Sequence, residues 1–81
     1  MRNKMTHASE RFAYDVSTNL MRMRKKRELS QDALADKAGV DRKTINRIEN
    51  NHFSPSMDTF FRICGALGVK PVDMVRTKTR K

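Results

Sequence analysis

The sequence predicts an all-α fold of five helices, the first of them extended. Three observations carry this expectation. Apolar residues recur at spacings of three and four rather than two, helix-capping residues stand before each apolar stripe, and β-branched residues are scattered without sustained alternation.

The first helix is expected from Ser9-Glu10, an N-cap followed by a first-turn acid, to about Arg27. Phe12, Val16, Leu20 and Met23 form its stripe. A later start at Ser17 or Thr18 would leave residues 1–16 as a loose arm, but the stripe continues through Phe12 and Val16 and favours the longer helix. Ser30 caps a short helix Gln31–Ala38, with Leu34, Ala35 and Ala38 inward, and Gly39 supplies the backbone freedom at its end. Asp41 is placed to cap a third helix, Arg42–Asn50, in which Ile45, Ile48 and the aliphatic stem of Glu49 face one side. Asn51, tolerant of the left-handed conformation, ends it. Ser56 caps a fourth helix with Asp58 in its first turn and Phe60, Ile63, Cys64 and Leu67 on its buried face, stopped by Gly68. Pro71 suits the first position of a last helix, Pro71–Val75. The expected organisation is an N-terminal extension over residues 1–16, helical from about residue 9, a compact helical unit over 17–76, and a basic tail over 77–81.

Size bounds what such a chain does. In 81 residues, 37% hydrophobic and 33% charged, there is material for one modest core, which excludes a multi-domain enzyme. No apolar run approaches the roughly 18–20 residues of a membrane span, and Met1–Arg11 lacks the apolar middle of a secretory signal, so no membrane partner and a cytoplasmic location are expected. Cys64 is a lone cysteine, suited to a reducing compartment, and His7 and His52 are too far apart to suggest a metal clip. No metal and no cofactor are expected.

Charge is the first functional signal. Eighteen Lys and Arg against nine Asp and Glu give a net +9, which favours a polyanionic partner. The bases cluster at Arg22–Arg27 and Arg76–Lys81, whereas Ser30–Asn50 is balanced. If that middle segment reads nucleic acid, it does so with a few placed side chains while the flanks attract.

The second and third helices, joined at Gly39 with small Ala35 at the crossing and Val40 and Ile45 filling the angle, describe a helix-turn-helix. Ile45 and Ile48 would hold the third helix to the core and turn Arg42, Lys43, Asn46 and Arg47 outward. The major groove, about 12 Å wide, admits one helix, and these side chains bond guanine and adenine edges. An ordinary polar face on a surface helix would carry the same residue types.

The run Leu29–Asn50, LSQDALADKAGVDRKTINRIEN, with Pro55-Ser56 and Leu67-Gly68-Val69 after it, closely resembles the phage Cro/repressor type of helix-turn-helix regulator, also called xenobiotic response element-like. The likeness runs from Asn19 to about Val75. It implies a lambda-repressor-like domain of five helices that binds palindromic operators in double-stranded DNA as a homodimer. Gln31 matches the family's glutamine that bonds a phosphate and braces the recognition helix. Arg42, Lys43 and Arg47 match base-reading places, with Asn46 between them, while Thr44 and Asn50 match places that touch the DNA backbone. Arg24 and Glu49 match an internal ion pair, which makes Arg24 structural. The sequence departs from the family at Asn51, where glycine is usual, and in residues 2–18, about which the resemblance says nothing.

Other residues have plainer readings. Cys64 reads as a small core hydrophobe. Met57, Phe60 and Phe61 read as core and interface, and Phe53 as a core plug or a residue packing across a dimer axis. His52 reads as solvent-facing, and Lys25 and Lys26 as long-range helpers with phosphates. Phe12 and Val16 either extend the core or add to a subunit interface. The expected activity is transcriptional regulation by occupancy, with repression the expected outcome for a bare domain. The partners considered are DNA, a second copy, and a protein such as polymerase or a toxin. Rival readings are an antitoxin-like regulator, a restriction-modification controller, and an interaction or RNA-binding module. An enzyme is not expected, because paired carboxylates, a Ser/His/Asp set and metal ligands are all missing from the pattern.

Overall fold

The computed structural model describes residues 7–51 and 54–77, and within them the fold is all-α. The elements are α1 (His7–Lys26), α2 (Gln31–Ala38), α3 (Arg42–Glu49), α4 (Met57–Leu67) and α5 (Pro71–Val75). The first helix begins earlier than its sequence signal. Ser9 lies inside it rather than at its cap, and the expected boundary between residues 16 and 17 falls in the middle of one continuous helix.

Local chemistry sets most of the ends. The Ser30 side chain accepts a hydrogen bond from the Ala33 amide, and Ser56 does the same for Thr59, each satisfying a donor that the helix itself leaves open. Gly39 and Gly68 follow α2 and α4 in the left-handed conformation, at φ 71° and 68°. Asp41 departs from expectation: it stands at the N-cap of α3 with extended backbone, yet its side chain makes no capping bond. The last turn of α3 also closes one residue early, with Asn50 as its cap and Asn51 at φ 59°. A position that gave no sequence signal is Glu28, which takes φ 56° to end α1 while the Leu29 amide reaches back to the Arg24 carbonyl at 3.1 Å. This conformation costs a non-glycine residue about 1–2 kcal/mol.

The core draws on every helix. Val16, Leu20 and Met23 of α1 meet Leu34, Ala35 and Ala38 of α2, Ile45 and Ile48 of α3, Phe60, Ile63, Cys64 and Leu67 of α4, and Met74 of α5. Helix α2 packs against both α3 and α4, and α1 against α3 and α5. Small Ala35, 3% exposed, permits the close crossing within the helix-turn-helix pair. Phe12 only partly continues its stripe: 39% exposed, it sits at the margin against the Phe60 ring, whereas Val16 is fully in the core.

Helix α1 buries polar groups that the apolar stripe did not announce. Asp15, Ser17, Asn19 and Arg24 are all buried, and among the described residues no buried side-chain donor or acceptor lacks a partner. Ser17 donates to the Glu49 carbonyl at the end of α3 at 2.8 Å. Asn19 Nδ2 donates to the carbonyls of Met74 and Arg76 at 2.7 and 2.9 Å, and Thr77 donates to Asp15 at 2.8 Å. These bonds fix α3 and α5 at set heights along α1.

Candidate nucleic-acid interface

Helix α3 has only two turns, too few to be stable alone, so its position depends on what holds its back. Ile45 and Ile48 are 0% and 1% exposed and anchor it to the core. With 3.6 residues per turn, burying positions 45, 48 and 49 turns positions 43, 47 and 50 to the opposite side. Lys43, Arg47 and Asn50 are accordingly exposed, and neither Lys43 nor Arg47 forms an ion pair among the described residues. Arg42 is also exposed, and its guanidinium lies 3.3 Å from Asp32 on α2, across the turn of the motif. Thr44 is half-buried at the side of the helix.

A chain of hydrogen bonds runs from this outer face to the interior. Asn50 Nδ2 donates to Asn46 Oδ1 at 3.2 Å, Asn46 Nδ2 donates to Gln31 Oε1 at 3.3 Å, and Gln31 Nε2 donates to Glu49 Oε1 at 3.0 Å. Glu49 is in turn held by Arg24, whose Nε and Nη2 donate to its two oxygens at 2.6 and 2.9 Å. The third arm of the guanidinium, Nη1, donates to the Leu29 carbonyl at 2.7 Å, at the joint between α1 and α2. Hydrogen bonding to Glu49 outweighs burial and raises the Arg24 pKa, so the guanidinium stays charged.

The consequence is orientation. One buried carboxylate ties together α1, the start of α2 and the end of α3, and the amides of Gln31 and Asn46 are ordered before any ligand arrives. Sequence reasoning placed Gln31 as a brace and paired Arg24 with Glu49 from the resemblance. It did not find the Gln31–Asn46 bond, because a bond between amides fifteen positions apart has no periodic signature. Nor did it find the Ser17 latch on the same helix end.

The remaining groups do not build a chemical centre. Cys64 is buried under α4, and loss of solvation pushes its thiol pKa up, away from nucleophilic thiolate. Among the described residues no group of three His, Cys, Asp or Glu is placed to hold a metal ion, and no helix is long and apolar enough to cross a membrane. His52, Phe53 and the tail from Lys78 lie outside the described residues, so their expected contacts do too.

Comparison with known proteins agrees with this geometry. Residues 20–74 match the family model described as Helix-turn-helix. The immunity repressor protein of Bacillus phage phi105 is 34% identical over 64 residues, covering 79% of this chain and 44% of its own, so the chain spans under half of that relative's length. An HTH-type transcriptional regulator from Methanothermobacter thermautotrophicus is 38% identical over 58 residues, 72% of this chain and 84% of its own. In fold, the restriction-modification controller protein C.AhdI from Aeromonas hydrophila superposes with a TM-score of 0.73 at 24% identity, covering 76% of this chain and 94% of that one.

Proposed function

From a chain that belongs to the Cro/repressor-type helix-turn-helix family of transcriptional regulators, we propose a sequence-specific double-stranded DNA-binding regulator that acts in the cytoplasm as a homodimer on a palindromic operator. Repression by occupancy is its mode of action: bound protein blocks polymerase. The observation that carries this reading is the outer face of α3, where Lys43 and Arg47 stand exposed on a helix whose back is locked by Ile45, Ile48 and the Arg24–Glu49 pair. A helix held in this way can lie in a major groove, which is wide enough to admit it, with its outer face toward the base edges.

In this reading Arg42, Lys43, Asn46 and Arg47 serve base edges, and Gln31, Thr44 and Asn50 serve phosphates. Arg42 exchanges Asp32 for the DNA. Asn46 contributes with the part of its amide that Gln31 and Asn50 leave open. Two copies would set their third helices in successive grooves about 34 Å apart. Exposed Lys25 and Lys26 add sequence-independent attraction, and binding falls steeply with salt. The repressor function of the phage relative supports the repressive outcome.

The test begins with fragments selected by the protein from a random DNA pool, which should yield an inverted repeat. On that repeat Arg47→Ala weakens binding by about 1–3 kcal/mol and relaxes preference at one base pair, while Lys25→Ala weakens all sequences slightly and alike. Equal losses for Arg47→Ala on the selected repeat and on random duplex would overturn the base-reading role.

A further inference from the structure

One ion pair of the helix-turn-helix joins two helices in the open. Arg42, the first residue of α3, has its Nε 3.3 Å from Oδ1 of Asp32 in the first turn of α2, and the two side chains are 55% and 77% exposed. The other pairs among the described residues are of different kinds: Arg24–Glu49 is buried, and Arg11–Asp15, Asp58–Arg62 and Asp73–Arg76 join residues three or four positions apart in the chain. An exposed pair changes a folding equilibrium by at most about fivefold, so stability gives little account of this one. An acid in the first turn suits the positive end of α2, but position 33 would serve that end as well. What position 32 adds is the contact with Arg42, next to Gln31 and its bond from Asn46.

We infer that Asp32 is a specificity-determining residue, whose carboxylate accepts a hydrogen bond from the N4 amino group of the cytosine paired with the guanine that Arg42 reads. This role rests on the base-reading place proposed above for Arg42 and adds the other half of the base pair. In the major groove a G·C pair presents two acceptors, guanine N7 and O6, and beside them one donor, cytosine N4, which suits a carboxylate. Within the pair O6 and N4 are hydrogen-bonded to each other, so they stand about 2.9 Å apart. A donor and an acceptor 3.3 Å apart on the protein therefore face an acceptor and a donor at nearly the same spacing. On binding, each charged group turns from the other to the edge beside it, and both remain partnered.

Counting bonds selects G·C over the alternatives. An adenine edge offers one acceptor, N7, and one donor, N6, so Arg42 and Asp32 would make one bond each there. A G·C edge gives the arginine fork two acceptors and still leaves N4 for Asp32. Phosphates offer the carboxylate no donor and repel it, so Asp32 adds nothing to the attraction that any duplex supplies. Asp36, one turn further along α2 and also exposed, forms no ion pair among the described residues and serves as the comparison.

The test uses the full chain and the selected repeat. Arg42→Ala should first relax preference at one G·C pair of a half-site, which locates the guanine. Replacing the cytosine of that pair by 2-pyrimidinone then removes the N4 amino group and leaves the guanine edge in place. The parent should bind the altered half-site about tenfold more weakly, the worth of one hydrogen bond to a charged group. Asp36→Ala, which loses the same charge from the same helix, should show the same loss. Asp32→Ala, with its helical circular dichroism unchanged, should lose no more than about twofold, because it has no carboxylate left to miss the donor. Equal losses for the parent and Asp32→Ala overturn the role of Asp32 and leave reading by Arg42 standing, as does relaxation by Arg42→Ala at a pair other than G·C. An Arg42→Ala chain that keeps the parent's preference at every position overturns both.

Discussion

Glu49 does more than any other single residue to position the candidate interface. Its side chain, 2% exposed, accepts from Arg24 twice and from Gln31 once, and its backbone carbonyl accepts from Ser17. Glu49→Ala should therefore cost about 3–5 kcal/mol in urea unfolding, because the Arg24 guanidinium is left buried without its counter-charge. Lys43→Ala, on the opposite face of the same helix, should change stability by no more than about 0.5 kcal/mol. Cys64 carries a pH signature. Burial raises its pKa above the ordinary value of 9.0, so the folded chain keeps a proton that the unfolded chain has lost. The associated stability is intact below pH 9.0 and declines as pH rises from there toward the folded value. Urea midpoints measured across that window should fall less steeply in Cys64→Ala than in the parent.

The helices differ in how they are started. Ser30 and Ser56 make capping bonds and Asp41 does not, although serine and aspartate are both good caps. Ser30→Ala should cost about 1 kcal/mol in thermal or urea unfolding. Asp41→Ala should cost less, since only the attraction between a carboxylate and the positive helix end is lost. The reason is visible in α3 itself: its stability comes from Ile45, Ile48 and Glu49 rather than from its first turn. Elements α2, α4 and α5 were legible in the sequence to the residue, because serine, glycine and proline at their ends act through local backbone chemistry. The start of α1 was not, since the helix begins before its apparent cap; its end near Arg27 was, although glutamate is not a residue whose type announces the left-handed turn at Glu28.

At the scale of the molecule, α1 is the post to which the other parts are tied. Asn19, 2% exposed, holds the end of α5 through the carbonyls of Met74 and Arg76 and is itself held by Arg22 at 3.0 Å. Asn19→Ala should destabilise the fold by about 1–3 kcal/mol, the cost of leaving buried carbonyls unpaired. Amide exchange should show the loss first in α5, whose backbone would open before α2 and α3. Should exchange instead rise evenly over all five helices, α5 is part of one cooperative unit and the latch is not local.

The sequence by itself determined the helical class, the apolar stripes, the helix-turn-helix pair and the identity of the outward cations, because each of these follows from spacing along one chain segment. Spacing could not reveal which polar residues of α1 would be buried, or that Gln31, Asn46 and Glu49 would form one connected bracket. Those outcomes depend on the heights and angles at which separate helices meet. Hydrogen bonds form wherever donor and acceptor then come within about 3 Å, and burial follows from which neighbour covers a face.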